Sequence, residues 1–212
     1  EILNKFSNKK EFSEQIEKVY FGLAWSYMKL GQFKNAIDNF QKVMEISSDK
    51  AVRLSALCQI GDIYQDIGEL QSAVDTYDKI LKGYPDSLYT DYLQYREGIA
   101  LLKMDRVDAA TLIFQGLSKN FPKSRFVTDA QYYLGMAYFK KGDFVASKEQ
   151  FENLLARLAR DSEYRPDLMY SLGLNLTYLK EYKMAIDIFE RLKKDYPHNG
   201  ELMQKADFEI GN

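Results

Sequence analysis

The chain is poor in the residues that most catalytic and stapled folds require. Among 212 residues there is one cysteine, Cys58, and one histidine, His198. A single thiol forms no internal disulfide, so a scaffold held together by disulfides is excluded. One Cys and one His cannot supply the roughly four ligands of a zinc site, and no metal or cofactor is expected. His198 follows Pro197 in a turn and reads as an exposed loop residue. No phosphate-cradling G-x-x-x-x-G-K-[ST] or G-x-G-x-x-G run occurs. The carboxylates lie among Lys and Arg, as on solvated helix faces. No enzyme is expected. Twenty-nine basic residues against 31 acidic ones give a net charge of −2, without the basic excess of a nucleic-acid binder. No apolar run is long enough to span a bilayer, so no direct membrane insertion is expected. With 4 Pro and 12 Gly, the chain has few places to break a helix.

What is abundant is periodicity. Ala36, Ala73, Ala110, Ser147 and Ala185 are spaced by 37, 37, 37 and 38 residues. Twelve residues before each stands a small residue: Ala24, Gly61, Gly98, Gly135 and Gly173. Four residues after each stands an aromatic: Phe40, Tyr77, Phe114, Phe151 and Phe189. Twelve after each stands Ser48, Pro85, Pro122, Ala159 or Pro197. Such a period means a repeated unit of two helices. A first helix (A) and a second (B) approach closely where both carry small side chains. The aromatic one turn further along helix B fills the adjacent space. Gly31, Gly68 and Gly142 suit an A–B turn with positive φ, and Asp105 tolerates it. Lys180 tolerates it less, so the fifth turn is expected to differ in shape. Proline ends helix B.

The segments Tyr20–Val43 (YFGLAWSYMKLGQFKNAIDNFQKV) and Tyr132–Leu155 (YYLGMAYFKKGDFVASKEQFENLL) carry bulky–Leu–small–Tyr, Gly–x–aromatic and Ala–x3–aromatic positions in order. In this the chain resembles the tetratricopeptide repeat (TPR) family over nearly its whole length. The third repeat is the poorest match, with Gln94, Glu97 and Leu101 where apolar, apolar and Tyr are usual. The resemblance implies an all-α fold, a right-handed α-solenoid of stacked antiparallel helix pairs. The expected full repeats are 17–50, 54–87, 91–124, 128–161 and 166–199 in a single solenoid over 1–212. Residues 2–7 (ILNKFS) match 80–85 (ILKGYP), so 1–8 are expected to end a preceding helix B, while 204–212 open a further repeat. The register reads as cut mid-repeat at both ends, so a longer parent protein is expected.

The long period and the aromatic–Pro–x–Ser steps Tyr84-Pro85-Asp86-Ser87 and Phe121-Pro122-Lys123-Ser124 resemble the repeats of bacterial cell-envelope TPR proteins, namely the outer-membrane β-barrel assembly lipoprotein and the Tol–Pal-associated periplasmic protein. That likeness favours a periplasmic or outer-membrane-associated setting over the cytoplasm. The family's groove-facing positions on helix A fall on Phe21, Trp25 and Met28; Cys58, Asp62 and Gln65; Tyr95, Ile99 and Leu102; Tyr132, Met136 and Phe139; and Tyr170, Leu174 and Thr177 with Tyr178 beside them, with Phe208 continuing the row. So apolar a row points to a site for an apolar segment of a partner protein, although each residue taken singly also suits core packing. Asp62, Gln65 and Asp66 interrupt the row with a polar patch, read either as a ligand contact or as a solvated face. The family's carboxylate clamp for chaperone tails is not expected, because its Lys and Asn positions hold Phe21, Trp25, Cys58 and Asp62. Two alternatives stand beside the scaffold reading: a self-associating structural module and a carrier of a small hydrophobic or sugar ligand.

Overall fold

Spaced apolar residues and a shortage of breakers should give helices, and helices are what form. The computed structural model describes residues 2–211, with side chains from Phe12 onward. Among the described residues every regular element is α-helical. They fall into two compact units, Glu1–Met104 and Asp105–Asn212. The first contains α1 (Ile2–Lys29), α2 (Phe33–Ile46), α3 (Lys50–Asp66), α4 (Leu70–Gly83) and α5 (Thr90–Lys103). The second contains α6 (Val107–Asn120), α7 (Val127–Lys141), α8 (Phe144–Arg157), α9 (Arg165–Tyr178), α10 (Tyr182–Asp195) and α11 (Gly200–Gly211). Within each unit every helix packs on its neighbours in sequence, and α7 also touches α9 and α9 touches α11. Successive helix pairs thus stack as a TPR solenoid. No helix among the described residues is long and apolar enough to cross a membrane.

The B helices bury one stripe each. In α2 it is Ala36, Ile37, Phe40 and Val43, and in α10 it is Ala185, Phe189 and Leu192. These spacings mark one face of a helix. The A helices are enclosed on more sides. In α9 the buried set includes Leu168, Met169, Leu172, Gly173 and Leu176, because α9 lies between α8 and α10.

In the α3–α4, α7–α8 and α9–α10 pairs the closest contact is an aromatic ring lying on a glycine. A Cβ added to Gly135 would come 2.3 Å from Cε1 of Phe151, and one on Gly173 would come 2.4 Å from Cε1 of Phe189. At Gly61 the corresponding approach to Cε1 of Tyr77 is 2.6 Å. The aromatic does not sit beside the small-residue crossing; it occupies the place where the glycine's side chain would be. Ser147, standing where the other repeats have alanine, is fully buried and donates its hydroxyl to the Gly135 carbonyl at 2.9 Å. That bond satisfies a polar atom which would otherwise be stranded.

Two expectations are corrected. Lys180 takes φ = 61°, the same left-handed conformation as Gly31, Gly68 and Gly142, as does Asp105 at 63°. The fifth A–B turn therefore keeps the common shape. Its closing bonds, Lys180 N–H to the Thr177 carbonyl (3.0 Å) and Glu181 N–H to that of Leu176 (2.9 Å), match those of the Gly142 turn and outweigh the side chain's strain. Residues 2–8 do not form a separate helix end; they continue into α1, a single helix of 28 residues. No proline lies in α1, and Ser7 stands where Pro85 ends the matching segment, so nothing in the chain stops the helix.

Asn175 is fully buried in α9, and neither its amide nitrogen nor its oxygen has a hydrogen-bond partner among the described residues. The matching residue of the preceding repeat is Ala137.

Gly135→Ala and Gly173→Ala should each lower the unfolding free energy by about 1–3 kcal/mol through overpacking. Lys180→Gly should raise it by about 1 kcal/mol by removing left-handed strain. Urea unfolding followed by circular dichroism checks both signs; alanine variants as stable as wild type would show that the rings do not rest on the glycines.

Candidate functional site

In the first unit the A helices are α1, α3 and α5. Phe21 and Trp25 both stand edge-on to the buried ring of Phe40, with centroids 5.3 and 6.3 Å away. Trp25 remains 41% exposed, whereas Phe21 and Met28 are half-buried against the core around Ala36, Ile37 and Phe40. Phe21 also borders a shallow recess of about 330 Å³ that it shares with Val52, Ser55 and Tyr89. Tyr95, Ile99 and Leu102 on α5 are half-buried.

The second repeat departs from expectation. Cys58, Asp62 and Gln65, placed by sequence in the groove row, are all buried. The cause is Tyr77, the one tyrosine in the B-helix column of phenylalanines. A buried phenol needs a partner. Its hydroxyl donates to Asp62 Oδ1 at 2.7 Å and lies 3.0 Å from Gln65 Oε1. Tyr92 donates to the other oxygen of Asp62. Arg96 Nε lies 3.0 Å from Asp62 Oδ1, and its Nη2 lies 3.3 Å from Oδ1 of the exposed Asp66. Asp62 and Gln65 are therefore held in a buried network tying α3 to α4 and α5, with Asp66 exposed at its edge. Sequence reasoning passed over Tyr92 and Arg96; the signal was Tyr77 itself. Burial, and after it the charge of Asp62, pushes the Cys58 thiol up to about 12 and raises the Tyr77 and Tyr92 phenols. Cys58 is thus held as an inert thiol, not a nucleophile. Among the described residues no His, Cys, Asp or Glu cluster could hold a metal ion.

In the second unit the A helices α7, α9 and α11 present a different surface. Tyr132 lies 6.0 Å from the ring of Phe151, and its hydroxyl pairs with Ser171 Oγ at 3.2 Å. Tyr170 lies 5.9 Å from Phe189. Met136 and Leu174 pack on the same core while staying half-buried. Phe139 meets Tyr178 edge-on at 5.0 Å and Phe144 at 5.3 Å, and Phe144 stacks on Tyr178 at 4.9 Å. Tyr178 is 59% exposed and Phe208 on α11 is 67% exposed. Phe144 was missed as a site residue, although it is the aromatic of the Gly142–x–aromatic step. The side chains from Tyr132 to Tyr178 form one aromatic and aliphatic strip across α7 and α9, footed on the core with its outer faces open.

TPR profiles match residues 15–86 and, with a second profile, 92–124, 129–158 and 167–199. The chain belongs to the tetratricopeptide repeat family. TPR proteins are in general non-catalytic scaffolds for protein–protein interaction. Among solved structures, a TPR protein from Parabacteroides merdae is 16% identical over 93% of this chain and 74% of its own, with a TM-score of 0.77. MamA from Desulfovibrio magneticus is 20% identical over 87% of this chain and 97% of its own, at 0.73. YrrB, described as a TPR protein with an unusual peptide-binding site, is 18% identical over 89% and 90%, at 0.66. At these identities the likeness is one of fold. No curated protein matches the chain in sequence.

Tyr77→Phe should cost about 1 kcal/mol, because Asp62 keeps Tyr92 and Arg96. Asp62→Ala should cost about 3 kcal/mol, because it removes the acceptor that Arg96, Tyr77 and Tyr92 share and leaves Gln65 and Asp66 to compensate only in part. Equal losses in chemical denaturation would contradict a network centred on Asp62.

Proposed function

We propose that this TPR chain is an interaction scaffold that takes an apolar segment of a partner protein along the A-helix strip of its second unit. The observation that carries the proposal is the run of Tyr132, Met136, Phe139, Tyr170, Leu174 and Tyr178, half-buried or exposed on two adjacent helices. Aromatic and Met side chains are the usual anchors of protein interfaces. Their inner edges rest on a rigid core, so little side-chain entropy is lost on docking. The peptide-binding site ascribed to YrrB supports a segment as the form of the partner. In the first unit, Phe21, Trp25, Met28, Tyr95, Ile99 and Leu102 serve as a further contact face. Cys58, Asp62 and Gln65 set its shape from beneath. The aromatic–Pro–x–Ser linkers support a bacterial envelope setting.

A second reading, self-association, is favoured by α1. Phe12, Val19 and Leu23 are 63%, 59% and 41% exposed, and with Ile16 they follow a heptad-like spacing along one helix face, with the exposed Leu30 just beyond the helix end. A strict monomer in light scattering at high concentration would remove it.

The test of the scaffold is differential capture from an extract of the source organism, with wild type beside a folded Trp25→Ala, Tyr132→Ala, Tyr170→Ala variant. The expected result is a partner retained by wild type and lost from the variant. The same proteins bound to both would refute the A-helix strip as the site.

A further inference from the structure

The strip of the second unit has electrical polarity along its length. Asp129 and Asp167 each stand three residues before a strip tyrosine, Tyr132 and Tyr170, on the same face of α7 and α9. Burial raises the Tyr132 phenol and the charge of Asp167 adds to that shift; burial likewise raises Tyr170, where Glu209 adds to the shift and Lys205 opposes it. Among the described residues Asp129, Asp167 and Glu209 form no ion pair. Asp129 is partly buried; burial raises its pKa, while a hydrogen bond from Tyr164 pulls it down and Glu163 adds further negative charge.

The nearby cations are mostly committed elsewhere. Lys205, which faces Tyr170 and Asp167, is bound to Glu201 at 2.6 Å. Arg165 donates to the carbonyls of Leu155 and Leu158 at 3.0 and 2.8 Å. Arg157 donates to Gln131 and to the Asn153 carbonyl. Arg125 lies over the ring of Phe126. At the opposite end of the strip the charges cancel, since Lys140 pairs with Asp105, Lys141 with Asp108 and Lys148 with Glu181. One end of the apolar strip is therefore an acidic edge whose carboxylates Asp129, Asp167 and Glu209 hold no ion pair among the described residues.

From this we infer that the partner segment is cationic at one end, with an Arg or Lys next to its apolar residues. The cation lies over the N-terminal turns of α7 and α9, against Asp129 and Asp167, and the apolar residues run on toward Phe139 and Tyr178. This rests on the strip being the docking face. The rings of Tyr132 and Tyr170 sit one turn from the carboxylates, so a guanidinium can stack on a ring while it pairs with an acid. An acidic segment would meet uncompensated like charge at the same edge.

The test is a displayed library of random linear peptides selected against the intact chain, with selected peptides then measured by fluorescence anisotropy. The expected peptides carry Arg or Lys beside apolar residues. They should bind the Asp129→Asn, Asp167→Asn variant roughly three- to tenfold more weakly than wild type, and lose affinity with added salt in wild type more than in that variant. Binders that are neutral or acidic, ignore the Asn variant but fail on Tyr132→Ala, Tyr170→Ala would overturn the charge inference and leave the docking face intact. No enriched peptides, or binders indifferent to the tyrosine variant, would overturn both. The Asn variant is isosteric and keeps an amide oxygen to accept the Tyr164 hydrogen bond, so circular dichroism should show it folded as wild type.

Discussion

The structure depends on one packing constraint, repeated: an aromatic ring on helix B rests on the backbone of a glycine on helix A. Phe151 on Gly135 and Phe189 on Gly173 leave no room for even a methyl group. A glycine inside a helix is unfavourable by roughly 1 kcal/mol relative to alanine. It is retained because close approach lets a full aromatic side chain be buried. Once the ring is in place, the crossing of each pair is set, and the A helix is rolled so that its remaining apolar residues face outward and along the stack. The strip of the second unit follows directly. Tyr132 and Tyr170 are the neighbours of those same rings, at 6.0 and 5.9 Å. Site and scaffold share one set of contacts.

The second repeat shows how a single atom redirects this plan. Tyr77 occupies the ring position and carries a hydroxyl into the core. Asp62 answers it from the position that holds Trp25 one repeat earlier, and Arg96 and Tyr92 complete the set. A polar network of this kind is favourable only when every member is satisfied. Its consequence is local: the groove-facing positions of α3 are withdrawn from the surface. The adjoining A helices keep theirs, so the first unit offers an interrupted face and the second a continuous one.

Much of this was legible in the sequence, because the offsets that repeat are the offsets that pack. The A–B turns, the B-helix stripes and the glycine column could all be written down from spacing. What escaped spacing were features decided by a partner outside the repeat pattern. Whether Asp62 faces water or the core depends on a tyrosine on the next helix and an arginine beyond it, and a motif built one repeat at a time does not couple those positions. The left-handed conformation of Lys180 is not legible in its own propensity, because it depends on the two hydrogen bonds that close its turn. The first residues resemble 80–85 but lack the proline that enforces that ending, and they run on into α1.

The proposed docking face for partners is the A-helix strip of the second unit. The most direct measurement is amide hydrogen exchange of the intact chain with and without a bound peptide or native partner. Docking there predicts slowed exchange in α7 and α9, concentrated over 129–141 and 167–178, with α8 and α10 unchanged. Protection confined to the outward faces of α8 and α10, or to α1, with α7 and α9 unaffected, would contradict it.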